Sequence, residues 1–282
     1  MALFALREIT LGEKEFRVIS DLVYEHCGIN LHAGKKELVR ARLAKRLREG
    51  EFRTFSDYIQ HVLNDPTGRE FSILVDSLST NMTKFFRERG HFEFLSRRFL
   101  PRLLEAKRKR GKLRLRAWSA GCSSGEEPYS LAITLLEAIG GQPHWDVKLL
   151  ATDVSTRMLD RARRGRYDQQ RIEPIPPLLR DRYLIHRSGT GDNTYEVRDI
   201  LRSVVVLRYL NLMRDWLIKG PIDFIFCCNV MIYFDKLTQE RLVQRFYDLL
   251  APGGILFTGH SESLTGVRHV FRYVQPTIYE KL

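Results

Sequence analysis

Trp118-Ser-Ala-Gly-Cys-Ser-Ser-Gly-Glu-Glu-Pro-Tyr-Ser130 is a run of small residues set between two apolar segments. Before it, residues 113–118 (Leu-Arg-Leu-Arg-Ala-Trp) alternate as a strand does; after it, residues 128–139 read as an apolar helix opening on proline. Strand, small-residue loop and helix in that order make a cradle for a nucleoside, because glycine lets the main chain approach a ligand closely. Gly121 and Gly125 stand where that approach is needed. Two carboxylates follow, Glu126 and Glu127. They would repel a pyrophosphate but attract a sulfonium and an ammonium, which favours S-adenosylmethionine over NAD or ATP. A second strand, residues 147–152, ends at Asp153, where a carboxylate can accept both ribose hydroxyls. The plainer alternatives are a tight turn at the glycines and a helix N-cap at Asp153.

Outward from this core the alternation continues. Residues 223–228 carry almost no polar side chain, as expected of a strand covered on both faces. Residues 237–250 read as a helix, and Pro252-Gly253-Gly254 turns the chain into a strand at 255–258. This is an α/β pattern with a mostly parallel sheet. Between Tyr167 and Arg208 the rhythm breaks. Short strands at 183–186, 195–198 and 204–208 around Ser188-Gly-Thr-Gly191 suggest a small antiparallel insertion. The N-terminal part is helical throughout, with apolar periodicity at 13–27, 35–49, 55–63 and 71–78. The expected organisation is a helical domain over 1–80, a linker and connecting helix over 81–111, and an α/β domain over 112–282 with a β-subdomain inserted at 170–208.

The 282 residues are 44% hydrophobic and 28% charged, which places them among ordinary globular chains. Cys27, Cys122, Cys227 and Cys228 show no CxxC spacing, so no metal site and no disulfide framework is expected. No apolar run is long enough to span a bilayer, and the N-terminus lacks a signal-peptide layout; a cytoplasmic protein without membrane insertion is expected. The net charge of +12 favours an acidic partner. Lys35, Arg42 and Arg46 share a helical stripe, widened by Lys45 and Arg48, beside an apolar stripe of Val39, Leu43 and Leu47.

Several segments together resemble the CheR family of chemotaxis-receptor glutamate methyltransferases. They are residues 78–87 (Leu-Ser-Thr-Asn-Met-Thr-Lys-Phe-Phe-Arg), 118–130, Ala151-Thr-Asp153, Asn211-Leu212, residues 226–235 (Phe-Cys-Cys-Asn-Val-Met-Ile-Tyr-Phe-Asp) and Gly259-His-Ser-Glu-Ser263. The resemblance runs from about residue 12 to the C-terminus. It implies a Rossmann-like methyltransferase domain, an N-terminal all-helical domain and a small antiparallel β-subdomain. It also implies roles. Asn81, Thr83 and Arg87 would reach the cofactor, Glu127 its amino-acid end or the adjacent ribose region, and Asp153 its ribose. Asn211, Leu212, Cys228 and Asn229 would frame adenine and the methionine tail, with S-adenosylhomocysteine as product. Arg87 and Tyr233 would face the methyl-transfer centre. Lys35, Arg42, Lys45, Arg46 and Arg48 would meet the acidic coiled coil of a chemoreceptor signalling domain, and the β-subdomain a receptor C-terminal tail.

One departure stands out. The family usually has arginine where this chain has Cys228, which puts that contact in question. Two other readings share part of the pattern. A nucleic-acid methyltransferase would suit the basic charge, but no aromatic residues interleave with the basic stripe as a nucleic-acid surface requires. A cofactor-sensing scaffold without turnover would suit the Cys228 departure alone.

Overall fold

The computed structural model describes residues 10–79, 81–142, 144–189 and 192–282. These fall into two compact units. One comprises the N-terminal helices together with Tyr233–Asp235; the other comprises Asn81–Ile232 and Lys236–Leu282.

The helical unit contains α1 (Glu13–Cys27), α2 (Lys36–Glu49), α3 (Phe55–Asn64) and α4 (Arg69–Leu78). In α1 the apolar positions Phe16, Ile19, Val23 and Cys27 fall on one face, and all four are buried. The helix stops at Gly28, whose left-handed backbone (φ 71°) lets its N–H return to the Tyr24 carbonyl. In α2 the buried stripe is Val39, Leu43 and Leu47. A reciprocal Thr54–Asp57 capping box opens α3. Tyr233–Asp235 joins this unit through Asn30 N–H donating to the Tyr233 carbonyl (2.8 Å) and Tyr24 Oη donating to Asp235 (2.6 Å).

The second unit opens with α5 (Arg89–Phe94), a π-helical turn at Leu95–Phe99 and α6 (Leu100–Lys109). Then follow β1 (Arg114–Ala120), α7 (Glu126–Ile139), β2 (Asp146–Asp153), α8 (Thr156–Arg164), β3 (Arg166–Asp168), α9 (Gln169–Ile172), α10 (Pro177–Tyr183), β4 (Leu184–Gly189), β5 (Asp192–Val197), α11 (Asp199–Val204), β6 (Val205–Tyr209), β7 (Ile222–Cys227), α12 (Lys236–Leu249), β8 (Leu250–Thr258), β9 (Arg272–Gln275) and β10 (Ile278–Glu280). The main sheet has the order β6-β2-β1-β7-β8-β10-β9. Its first five strands are parallel, and β10 and β9 add antiparallel. Every residue of β7 is buried, as its central place demands.

From β1 the chain winds outward to β2 and β6 on one side, and later to β7 and β8 on the other. The strand order therefore reverses between β1 and β7. In open α/β sheets the ligand crevice lies beyond the carboxyl ends of the strands at such a point. The loop 121–125 leaves β1 there.

Three local expectations are corrected. Residues 204–208 do not belong to the small insertion. As β6 they pair in parallel with β2, from Leu149↔Val205 to Asp153↔Tyr209. The small sheet is completed by β3 instead, in the order β3-β5-β4. A short β-branched run reads alike in either sheet, and only the distant partner decides. The helix after the glycine loop starts at Glu126, two residues before Pro128, because carboxylates favour the positive end of a helix. The strands β9 and β10 lie in a C-terminal stretch for which no strand is expected.

Candidate functional site

Four segments distant in sequence meet at the carboxyl ends of β1 and β2. Ser123 is the junction. Its backbone is left-handed (φ 48°), which turns its N–H onto Asp153 Oδ2 (2.8 Å), while its hydroxyl donates to the Asn81 carbonyl (3.0 Å). Asp153 Oδ1 accepts the Ser155 N–H (2.8 Å), and the Asp153 carbonyl accepts Leu210 N–H (3.1 Å). That last bond sets Asn211 and Leu212 beside the end of β2. Asp153 is thus no helix cap; Ser155 caps α8, its hydroxyl accepting Met158 N–H (3.0 Å). An ionised carboxylate offers about four acceptor positions, so Asp153 retains capacity for ligand hydroxyls.

The glycines are also demanded by the protein's own packing. Gly121 has φ 86°, and a Cβ there would lie 2.3 Å from Val230 Cγ2. Gly125 has φ 100°, and a Cβ there would lie 2.8 Å from Tyr167 Oη and 2.9 Å from Ala162 Cβ. Both are therefore required by backbone conformation and by close packing within the protein. Gly121 brings the loop after β1 against the loop after β7, where Asn229 is held at φ 61°.

The two carboxylates of α7 part company. Glu126 is fully buried, accepting from the Ser124 hydroxyl (2.7 Å) and paired with Arg171. It is bound within the protein and is not a ligand-facing charge, contrary to the expectation that the pair acts together. Glu127 accepts from the Ser119 hydroxyl (2.7 Å). Burial pushes its carboxyl up to about 7; the Ser119 bond and Arg87 oppose the rise, and Glu262 and Glu88 add to it. A half-buried carboxylate so incompletely compensated fits a cationic group, an ammonium or a sulfonium.

The segment 81–88 runs without regular structure across the start of α7. Phe85 is fully buried edge-on to Tyr167, and Phe86 N–H donates to Ser130 Oγ (3.0 Å). Asn81 and Thr83 are half-buried and cap no helix; the residue before α5 is Glu88, without a side-chain cap. Arg87 is exposed and donates to the Met82 carbonyl (2.9 Å).

One functional side chain escaped the sequence reading. Glu262 is buried, and it accepts main-chain N–H groups from Asn229 (2.6 Å), Gly259 (2.7 Å) and Ile232 (3.1 Å). It latches the loop after β7 to the loop after β8. Burial raises its pKa, against the pull of those N–H bonds. The signal was its place in Gly259-His-Ser-Glu-Ser263, a carboxylate just past an apolar strand. Among the described residues no group of three or more His, Cys, Asp or Glu could hold a metal ion, and no helix is long and apolar enough to cross a membrane.

Comparison with known proteins decides the family. Residues 81–279 match the CheR methyltransferase SAM binding domain, and residues 14–79 the CheR methyltransferase all-alpha domain. The chain belongs to the CheR methyltransferase family. It is 42% identical to chemotaxis protein methyltransferase 2 of Pseudomonas aeruginosa, over 98% of this chain and 96% of that one. It is 39% identical to the chemotaxis protein methyltransferase of Klebsiella aerogenes (97% and 91% covered) and 37% identical to that of Escherichia coli (96% and 92% covered). This CheR protein is accordingly a methyltransferase, and S-adenosylmethionine is its cofactor.

In this CheR protein the Cys228 thiol is buried, 3.9 Å from His91 Nδ1 and 3.9 Å from the Phe257 carbonyl. Its side chain is packed within the core. His91 donates to or accepts from Thr277 Oγ1 (2.7 Å), and burial lowers its pKa to about 4, so it is neutral near pH 7. The position usually taken by a cation is here a neutral thiol beside a neutral imidazole.

The basic residues of the helical unit differ in availability. Arg46 grips buried Glu70 with two bonds of 2.6 Å, and Arg42 donates to the Leu78 carbonyl. Both serve the unit's own packing. Lys35 approaches the Asn30 carbonyl (3.5 Å) and is half-buried. Lys45 and Arg48 are exposed, Lys45 with Glu49 at 3.6 Å. The turn at Thr190 and Gly191, for which a tether role is expected, lies outside the described residues.

Proposed function

We propose that this protein transfers a methyl group from S-adenosylmethionine to glutamate side chains of bacterial chemoreceptors, giving glutamate 5-O-methyl esters, and that it works in the cytoplasm. The observation that carries the reading is Glu127, a half-buried, under-compensated carboxylate at the strand switch point of a CheR-family chain. When bound, S-adenosylmethionine supplies an electrophilic methyl group on a sulfonium. Glu127 holds the ammonium of the amino-acid end, and Asp153 accepts ribose hydroxyls. Asn81 and Thr83 approach from the segment before α5, while Asn211, Leu212, Asn229 and the Cys228 main chain frame the remainder.

No general base is needed. A glutamate carboxylate, with pKa about 4.3, is ionised at neutral pH and is itself the nucleophile. The chain must supply proximity and alignment, effects that together lower such barriers by roughly 7–11 kcal/mol. Arg87, with a planar fork of donors, orients the incoming carboxylate, and Tyr233 is the second residue proposed for the transfer step. Lys45 and Arg48, with Lys35, Arg42 and Arg46 adding to the field, draw in the acidic receptor. The three-stranded sheet has β3 and β4 at its edges, and an edge strand suits the capture of an extended C-terminal tail.

The test is transfer of labelled methyl groups to a purified chemoreceptor signalling fragment, with and without its C-terminal tail, and to RNA. Base-labile label on receptor glutamates is expected, together with none on RNA. Label confined to RNA, or cofactor binding with no transfer to any receptor, would overturn the proposal.

A further inference from the structure

We infer that Arg245, on α12, is a positioning residue for the cofactor. It acts through the loop between β6 and β7. The argument rests on the reading above that Asn211 and Leu212 frame the cofactor.

That loop has no regular structure from 210 to 221, yet its first turn is held at several points. Asn211 Oδ1 accepts Met213 N–H (2.9 Å), and the Asn211 carbonyl accepts Arg214 N–H (3.1 Å). The Leu210 N–H to Asp153 carbonyl bond ties the start of the loop to the end of β2 (3.1 Å), and Arg245 holds the turn beyond it. One guanidinium nitrogen donates to the Leu212 carbonyl (2.7 Å), and the other to the Arg214 carbonyl (2.6 Å). The same guanidinium lies 3.6 Å from the centre of the Trp216 ring. Burial lowers its pKa, as expected of a cation drawn out of water.

Trp216 carries the grip to the floor of the site. It stacks on Phe246 (centroids 5.5 Å, planes at 30°) and meets Trp118 edge-on (4.9 Å, 86°). Trp118 is fully buried in β1, and its indole N–H donates to Thr152 Oγ1 (2.9 Å). Thr152 in turn accepts, at its carbonyl, the N–H groups of Gly121 (2.8 Å) and Cys122 (2.9 Å). One continuous set of contacts thus joins Arg245 to the glycine loop and to the residue before Asp153. Both sides of the cofactor crevice, the turn at 211–214 and the loop at 121–125, are set from one foundation.

Only a planar fork can reach two carbonyls two residues apart while lying flat on an indole; a lysine supplies one point of donation. The role is recognition of the bound cofactor and not the chemistry of transfer. The test is therefore a steady-state measurement on full-length Arg245→Lys and Trp216→Phe proteins with a receptor fragment as acceptor. Asn211→Ala is measured alone and combined with Arg245→Lys. We expect Arg245→Lys to raise the KM for S-adenosylmethionine about tenfold, keep kcat within about twofold, and combine less than additively with Asn211→Ala. Trp216→Phe, which keeps a flat ring, should shift KM far less. If Asn211→Ala raises KM while Arg245→Lys leaves it unchanged, the positioning role is wrong although the framing loop stands. If Asn211→Ala leaves KM unchanged, the framing reading fails, and this inference fails with it. A parallel fall in kcat and melting temperature for Arg245→Lys would make the residue merely structural and overturn the proposal.

Discussion

The carboxylates beyond β1 and β8 and the cations of α2 are both charge clusters, but water treats them in opposite ways. Glu262 is buried and Glu127 half-buried, and loss of solvation raises the pKa of each. Lys45 and Arg48 stand in solvent. A buried charge acts at contact distance, and its partner must arrive with matching geometry. An exposed charge acts through a field that salt screens over about 8 Å at physiological ionic strength. The first cluster can recognise one small cation; the second can gather a large acidic partner without fixing its pose. Arg46 shows that sequence position alone does not sort the two kinds. It lies on the same helix as Lys45 yet belongs with the dehydrated set, clamped on Glu70.

The sharpest way to break this contrast is Arg87→Ala. Arg87 is an exposed cation whose charge acts on the half-buried Glu127. If it orients the methyl acceptor, its loss should lower kcat by roughly 10²-fold or more, the scale of removing one preorganised donor at a reacting centre. Single-turnover transfer to a receptor fragment measures this. Near-normal turnover would show that Arg87 only tunes its surroundings.

Glu127 allows a test by pH. Its folded-state pKa of about 7 exceeds the ordinary carboxyl value of 4.5. The folded chain therefore holds a proton that the unfolded chain releases, and this group's contribution to stability falls as pH rises from about 4.5 to 7. A cationic ligand favours the ionised form, so binding expels the proton. Affinity for S-adenosylmethionine should rise with pH and level off above about 7, weakening by up to about tenfold per unit below it. Calorimetry in buffers of different ionisation enthalpy should detect the released proton, and Glu127→Gln should abolish both effects. A flat pH profile in the wild type would remove Glu127 from the ammonium site.

How far the sequence carried differs between these regions for a physical reason. The α1 bounds and the β1–loop–α7–β2 order follow from local periodicity and from residue types adjacent in the chain. Glu126 and Glu127 could not be told apart, because their fates depend on Arg171 and Ser119, which approach through tertiary contacts. Gly121 and Gly125 were legible as obligatory glycines, but the packing against Val230, Tyr167 and Ala162 that also demands them was not. Arg245 left no trace at all: an arginine on the polar face of an amphipathic helix reads as solvated until the carbonyls of Leu212 and Arg214 are seen beside it. The swap of β6 for β3 in the small sheet has the same origin, since strand pairing at long range is not encoded in the strand's own alternation.

The smallest expected effect separates the two kinds of cation on α2. Reversing Lys45 and Arg48 to glutamate alters only exposed groups, so folding and S-adenosylmethionine binding should be unchanged. The association rate with an acidic receptor fragment should fall several-fold at low salt, and the deficit should shrink as salt is added. Arg46→Glu is the contrasting variant. It strands buried Glu70, and breaking such a pair typically costs about 3–5 kcal/mol, so its melting temperature should drop whatever happens to docking. Reversing Arg42 and Arg46 together would therefore confuse docking with folding, whereas the Lys45 and Arg48 pair isolates the field. Stopped-flow association across a salt series, with melting curves for each protein, provides the comparison. A salt-independent deficit in the Lys45→Glu, Arg48→Glu protein would mean that these side chains make fixed contacts, and the division between field and contact would have to be drawn elsewhere on the helix.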